Sequence, residues 1–148
     1  MRFVFQTGID PRVRACCKKF YKWLCKRIEF QGRLTVYLLN HRRIFALDGD
    51  IVCGTIFFPD DEREPPFIRV AAKCALTDDQ SKNDDELAGV LGTIAHELGH
   101  ALIEQSRCVV KSDALGEELA ERIRNEILDE YAQGHKTLCK INRRGHHA

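Results

Sequence analysis

Apolar residues recur at spacings of three and four in three stretches of the chain, and between the first and second they fall instead into short, closely spaced runs. The first stretch opens on Asp10-Pro11, an acid suited to the N-cap followed by a proline at the first helical position. Val13, Cys17, Phe20, Leu24 and Ile28 then make one apolar stripe, and Gly32 is the expected stop. Lys18, Lys19, Lys22, Lys26 and Arg27 occupy much of the remaining surface of that helix. A second helix is predicted over residues 84–108. At about 100° per residue, Leu87, Val90, Leu91, Ile94, Leu98, Ala101 and Leu102 share one broad side of it. The third helix is predicted over residues 115–133, closed by Gly134, with Leu119, Ala120, Ile123, Ile127 and Tyr131 on its buried side.

The short runs read as strands over residues 2–7, 34–39, 44–47, 51–58 and 67–72. Asp48-Gly49 between two apolar runs signals a hairpin. Residues 60–66 form an acidic loop with prolines. The order β-α-β-β-β-β-α-α predicts an α+β fold with a mostly antiparallel sheet, an N-terminal helix and two C-terminal helices packed on it. A length of 148 residues suits one core, so residues 1–148 are expected as a single domain, with residues 134–148 as a basic C-terminal tail.

Composition narrows the class. The chain is 44% hydrophobic and 30% charged, a globular balance. No apolar run approaches the roughly 20 residues that span a bilayer. The opening residues lack the apolar length and cleavage site of a signal peptide, so no membrane partner and a cytoplasmic location are expected. Seven cysteines, an odd number without CxxC pairs, argue against a disulfide framework or a zinc ribbon and for small buried hydrophobes. The net charge of +1 conceals an asymmetry: residues 1–44 hold 11 Lys/Arg against 2 Asp/Glu, residues 45–132 hold 8 against 20. That pattern fits basic surfaces lying against acidic loops, or a docking surface for nucleic acid or an acidic partner. The first of these is favoured. No base-reading motif accompanies the charge.

The candidate chemistry lies in His96-Glu97-Leu98-Gly99-His100. Residues four apart share one helix face, so His96 and His100 can place two imidazoles on one Zn2+ ion. Glu97 between them is poised to take a proton from a metal-activated water. Thr93 and Gly89, one and two turns earlier on the same side, leave room for a substrate. A catalytic zinc takes three protein ligands and keeps one position open. Ile103 and Ser106 stand where the extended HExxHxxGxxH pattern requires glycine and histidine, which excludes a metzincin. Glu104 shares the helix of the histidines and closes a tetrahedron poorly. Glu117, Glu118 and Glu121 on the next helix remain. Helical phase sets Glu118 on the wet side with Arg122 and Asp129, and Glu117 and Glu121 at the margin of the apolar side. Glu117 is therefore the expected third ligand and Glu121 the carboxylate that orients a histidine, or an alternative ligand. Tyr131 and His135 are the candidates for an oxyanion partner.

HELGHAL at 96–102, followed by Glu117-Glu-Leu-Ala-Glu-Arg-Ile-Arg-Asn-Glu-Ile-Leu128, resembles the ImmA/IrrE branch of the gluzincins, whose pattern is HELGH and then EExANxFAxxLL. Ala120, Ile123 and Leu128 match; Glu121 replaces Asn, Arg124 replaces Ala, and the interval between helices is shorter. The Glu117/Glu121 pair also resembles the second motif of thermolysin-like and minimal gluzincins. The likeness covers about residues 67–130, and HExxH is its specific part. It implies a zincin-like domain, zinc metalloendopeptidase activity on a protein or peptide substrate, and a strand before the active-site helix, at residues 67–72, as the edge that receives an extended substrate. Two further functions follow as alternatives: a regulatory module acting on a transcription regulator, and a nucleic-acid-associated protease recruited by the basic first helix and the tail from Asn142 to His147.

Overall fold

The computed structural model describes residues 1–107 and 110–144, with side chains described through Gly134. Strand β1 (Arg2–Phe5) leads into helix α1 (Pro11–Arg27), and β2 (Thr35–Leu39), β3 (Ile44–Phe45), β4 (Ile51–Val52), β5 (Gly54–Phe57) and β6 (Phe67–Ala71) follow. Helices α2 (Gln80–Gln105) and α3 (Asp113–Arg144) complete the chain. The fold is a small α+β architecture of three helices and a mixed sheet.

Local chemistry explains the helix starts. The Asp10 carboxylate accepts from the Arg12 backbone N–H at 2.8 Å, and Pro11 supplies the preset φ of the first turn. Helix α2 begins four residues earlier than its apolar period indicates. Asp79 caps it, accepting from the Ser81 and Lys82 N–H groups, and Asn83 clamps the incoming chain through two bonds to the Thr77 backbone. The first turn is polar, so periodicity has nothing to register there.

The sheet is mixed rather than mostly antiparallel. Its order is β1-β2-β6-β5; β1 and β6 both run parallel to β2, and only β5 runs antiparallel to β6. The α1 crossover returns the chain to pair β2 beside β1 in the same direction, as β-α-β connections do. Strand β6 then enters between β2 and the hairpin partner that precedes it. The Asp48-Gly49 turn is present, with Gly49 at φ 90°, but the ribbon it closes is two residues deep. The run 51–58 breaks at Cys53, its first part completing the ribbon and its second forming the sheet edge.

Helices α1 and α2 lie on one face, and α3 packs against α2. Val36 and Leu38 of β2 and Ile68 and Val70 of β6 point into that layer, where Val13, Cys17, Phe20 and Leu24 of α1 and Ile94 and Leu98 of α2 are fully or almost fully buried. Each of these larger side chains contributes about 1.5–3 kcal/mol by leaving water. Gly134 does not stop α3. An interior glycine costs a helix only about 1 kcal/mol, and here Trp23 of α1 lies beside it, its Nε1 in ordinary contact at 3.5 Å from where a Cβ would stand. The backbone of residues 134–144 is accordingly helix rather than tail. Of the five described cysteines, all unpaired, Cys17 is buried, Cys16 and Cys74 are half-buried, and Cys25 and Cys53 are exposed, so the expectation of buried thiols holds for only part of the set. No helix among the described residues is long and apolar enough to cross a membrane.

Candidate metal centre

Helix α2 carries two loaded faces at once. Leu98 and Ile94 anchor it to the sheet, while His96 and His100 look across to α3. The two helices approach closely because Gly99 has no side chain: a Cβ there would sit 2.9 Å from the Ala120 carbonyl oxygen and 3.1 Å from its Cα. Backbone cannot swing aside as a side chain can. Helix propensity alone favours Gly99→Ala by about 1 kcal/mol, but overpacking costs about 1–3 kcal/mol. Gly99→Ala should therefore lower the denaturant midpoint, whereas Gly89→Ala, which meets nothing within 4 Å, should raise it. A matched gain in both variants would show that the helices do not touch at Gly99.

That approach sets the glutamates of α3 against the histidines. His96 Nε2 lies 3.0 Å from Glu117 Oε2, and His100 Nε2 lies 2.9 Å from Glu117 Oε1. The carboxylate bridges the two rings, which stand edge to face with centroids 5.0 Å apart. Candidate ligand atoms of His96, His100 and Glu117 fall within 4.8 Å of one another. A tetrahedral zinc with bonds of about 2.1 Å needs ligand atoms about 3.4 Å apart. The donor set therefore fits: two imidazoles, one carboxylate and an open side. Glu121 accepts from His96 Nδ1 at 2.9 Å through Oε2. In that tautomer the Nε2 lone pair is the one that faces Glu117, and a carboxylate behind a ligating histidine holds its ring in place.

Glu97 is 8% exposed, beneath the edge strand. A Cβ on Gly54 would meet Thr93 Cγ2 at 2.5 Å and Glu97 Cγ at 3.2 Å, so the first residue of β5 must be glycine for the strand to close over α2. Among the described residues no hydrogen bond satisfies the Glu97 carboxylate, which opens into a cavity of about 660 Å³. Burial pushes its pKa up to about 7, with Glu117 adding to the rise and His96 opposing it. His100 is shifted down, chiefly by burial and against the pull of Glu117, which favours the neutral, ligating ring.

The Glu97 shift has a pH signature in metal-free protein. Below pH of about 4.5 the carboxyl is protonated whether folded or not, and burial costs nothing extra. As pH rises from the unfolded value of 4.5 towards about 7 the unfolded chain ionises first, and the native state loses stability on the order of 3 kcal/mol. Glu97→Gln should remove that loss. Denaturant melts of chelated protein should show the variant more stable than the parent at pH 8 and equal to it at pH 4.5; equal stability at both would contradict the buried carboxylate.

The remaining sequence candidates fall elsewhere. Glu118 is 68% exposed and lies 3.9 Å from Arg122. Glu104 is exposed and lines a different cavity with Phe30 and Pro65. Tyr131 stacks edge-on against Phe20 and Trp23, with centroids at 4.9 and 5.2 Å, and does not line the His96 cavity. Its place one turn after Ile127 keeps it on the core side. The oxyanion role expected of it is therefore withdrawn, and the His135 side chain lies outside the described residues. Strand β6 (Phe67–Ala71) is interior, so the edge beside the site is β5, from which Gly54, Thr55 and Ile56 line the cavity, with Cys53 just before it. The cavity also contains Arg124, which the sequence marks only as a departure from a helix pattern. Cys53-Gly54 inside an apolar run was the available sign of a close backbone approach. Comparison with models of known families, with curated proteins and with solved structures returns no match for this chain.

Proposed function

We propose that this chain is a zinc-dependent metallopeptidase of gluzincin type, hydrolysing peptide bonds in a protein or peptide substrate. The observation that carries the reading is the convergence of two histidine Nε2 atoms on the Glu117 carboxylate, with Glu97 buried between them and the edge strand. His96, His100 and Glu117 would hold the zinc, which would supply the Lewis acidity that polarises a scissile carbonyl and acidifies a water. Glu97 takes the proton of that water as its oxygen joins the carbonyl carbon. It then returns the proton to the nitrogen as the C–N bond breaks and the amine leaves. Glu121 keeps His96 oriented throughout. The free edge of β5, antiparallel to β6 and beside the HExxH helix, supports a zincin-like arrangement in which an extended substrate adds as a further strand.

Reconstituted protein should hold one zinc per chain and digest casein or a peptide library in a chelator-sensitive manner. Substoichiometric zinc under excess metal, or zinc content unaffected by His100→Ala, would sink the proposal. One observation favours a second reading, recruitment to nucleic acid. Lys18, Lys19, Lys22 and Lys26 of α1 are exposed, and among the described residues none makes an ion pair. A gel shift that weakens with salt would support it, and no shift at low salt would remove it.

A further inference from the structure

Glu121 reaches His96 from α3 with a half-exposed side chain, and a glutamate so placed has rotamer freedom to lose before it can hold anything. Both of its oxygens are engaged. Oε2 lies 2.9 Å from His96 Nδ1, and Oε1 accepts from Arg124 Nη1 at 3.1 Å. Arg124 is fixed in turn. Its Nη1 also donates to Asn125 Oδ1 at 3.0 Å, and its Nε and Nη2 edge is laid against Gly92 of α2, where a Cβ would stand 3.1 Å from Nε and 2.7 Å from Nη2. An ordinary surface pair three residues apart on one helix needs nothing from a neighbouring helix. Here the guanidinium is seated on α2 one turn before His96. A chain of contacts therefore leaves α2 at Gly92, crosses α3 through Arg124 and Glu121, and returns to α2 at His96. Arg124 is also the only Lys or Arg among the described residues that line the His96 cavity.

A planar guanidinium with donors in fixed directions holds a carboxylate in one orientation better than a freely turning ammonium does. A site whose parts are held in place beforehand loses little entropy when its ligand arrives. We propose that Arg124 is a positioning residue for the metal centre: it locks the Glu121 carboxylate against His96 Nδ1, and so keeps His96 Nε2 turned towards Glu117 and the metal position. The inference rests on the zinc-site reading and deepens it with a residue that acts only through Glu121. Charge alone gives the opposite expectation. A cation beside the cavity repels a dication, so if Arg124 acted directly its removal would tighten zinc binding. Acting through Glu121, its removal loosens zinc instead.

Competition with a fluorescent zinc chelator, run on the full-length chain, reads the sign. Arg124→Met should weaken zinc by about three- to tenfold, less than the loss of the carboxylate it holds. Arg124→Lys, which keeps a donor three residues from Glu121 on the same helix, should recover part of that loss. Gly92→Ala displaces the guanidinium from its seat without changing any charge. It should weaken zinc in the same direction, although alanine is the better helix former. Arg122→Met removes an exposed cation from the same helix and should leave zinc unchanged. In a Glu121→Ala background Arg124→Met should cost nothing further, because the group it holds is gone. Unchanged or tighter zinc in Arg124→Met, or an equal loss with and without Glu121, overturns the inference, while a parent that loses its zinc on His100→Ala keeps the metal-site reading. A parent that binds no zinc overturns both. Metal-free protein supplies a readout without zinc. His96 Nδ1–H, shielded by Glu121, should give a ring N–H signal by NMR that is lost in Glu121→Ala and exchanges faster with water in Arg124→Met. A signal equally slow in the parent and in Arg124→Met overturns the inference as well.

Discussion

Glu97→Gln is expected to keep a full zinc complement and lose hydrolysis by about 10²–10⁴-fold, the usual worth of a positioned general base. The substitution preserves shape, so the packing of Gly54 and Thr93 around the side chain survives. It breaks no hydrogen bond among the described residues, because the carboxylate makes none. It relieves a buried charge instead, and metal-free protein should be stabilised above neutral pH. What it removes is a group whose burial brings its pKa to about 7, near the pH at which a base both exists as such and can return its proton. Stability should rise and zinc content should hold while turnover falls. That divergence separates a chemical role from a structural one. Turnover within a factor of a few of the parent would deny Glu97 the role.

The second large effect concerns the glutamates of α3. Glu117→Ala removes the carboxylate on which both Nε2 atoms converge, and tight zinc binding should be lost. Glu121→Ala leaves the three proposed ligands in place and frees the His96 ring at Nδ1. It should weaken zinc by about 10–100-fold, as the loss of an orienting partner does. Glu118→Ala touches only an exposed contact with Arg122 at 3.9 Å and should be nearly silent. Competition with a fluorescent zinc chelator measures all three. Equal affinities for Glu117→Ala and Glu118→Ala would remove Glu117 from the ligand set, and the gluzincin reading would pass to Glu121 or fail.

Much of this geometry is legible in the sequence because it is local. The i, i+4 spacing of His96 and His100 puts two rings on one face wherever the helix goes, and helical phase separates Glu118 from Glu117 and Glu121 on α3. The Asp10 cap, the apolar stripe of α1 and the Asp48-Gly49 turn are also decided within a few residues of chain. Where the signal was not local, expectation and structure part. The polar first turn of α2 is stabilised by Asp79 and Asn83 rather than by burial, so periodicity misses it. Gly134 reads as a stop, yet the helix continues past it with Trp23 at its side.

Sheet order belongs to the tertiary structure for the same reason. The apolar residues of β2 and β6 would suit either direction of pairing. Only the packing of α1 and α2 on one face places β6 beside β2 and leaves β5 at the edge. The site is completed at that level too. Gly99 against Ala120 fixes the distance between histidines and glutamates, Gly54 lets the edge strand cover Glu97, and Gly92 seats Arg124. By itself the sequence determined which side chains are candidates for metal binding and proton transfer, because residue type and helical spacing are properties of a short stretch of chain. Which strand borders the site and which cation faces it were decided only by the fold, because each depends on two backbones approaching across a long separation in sequence.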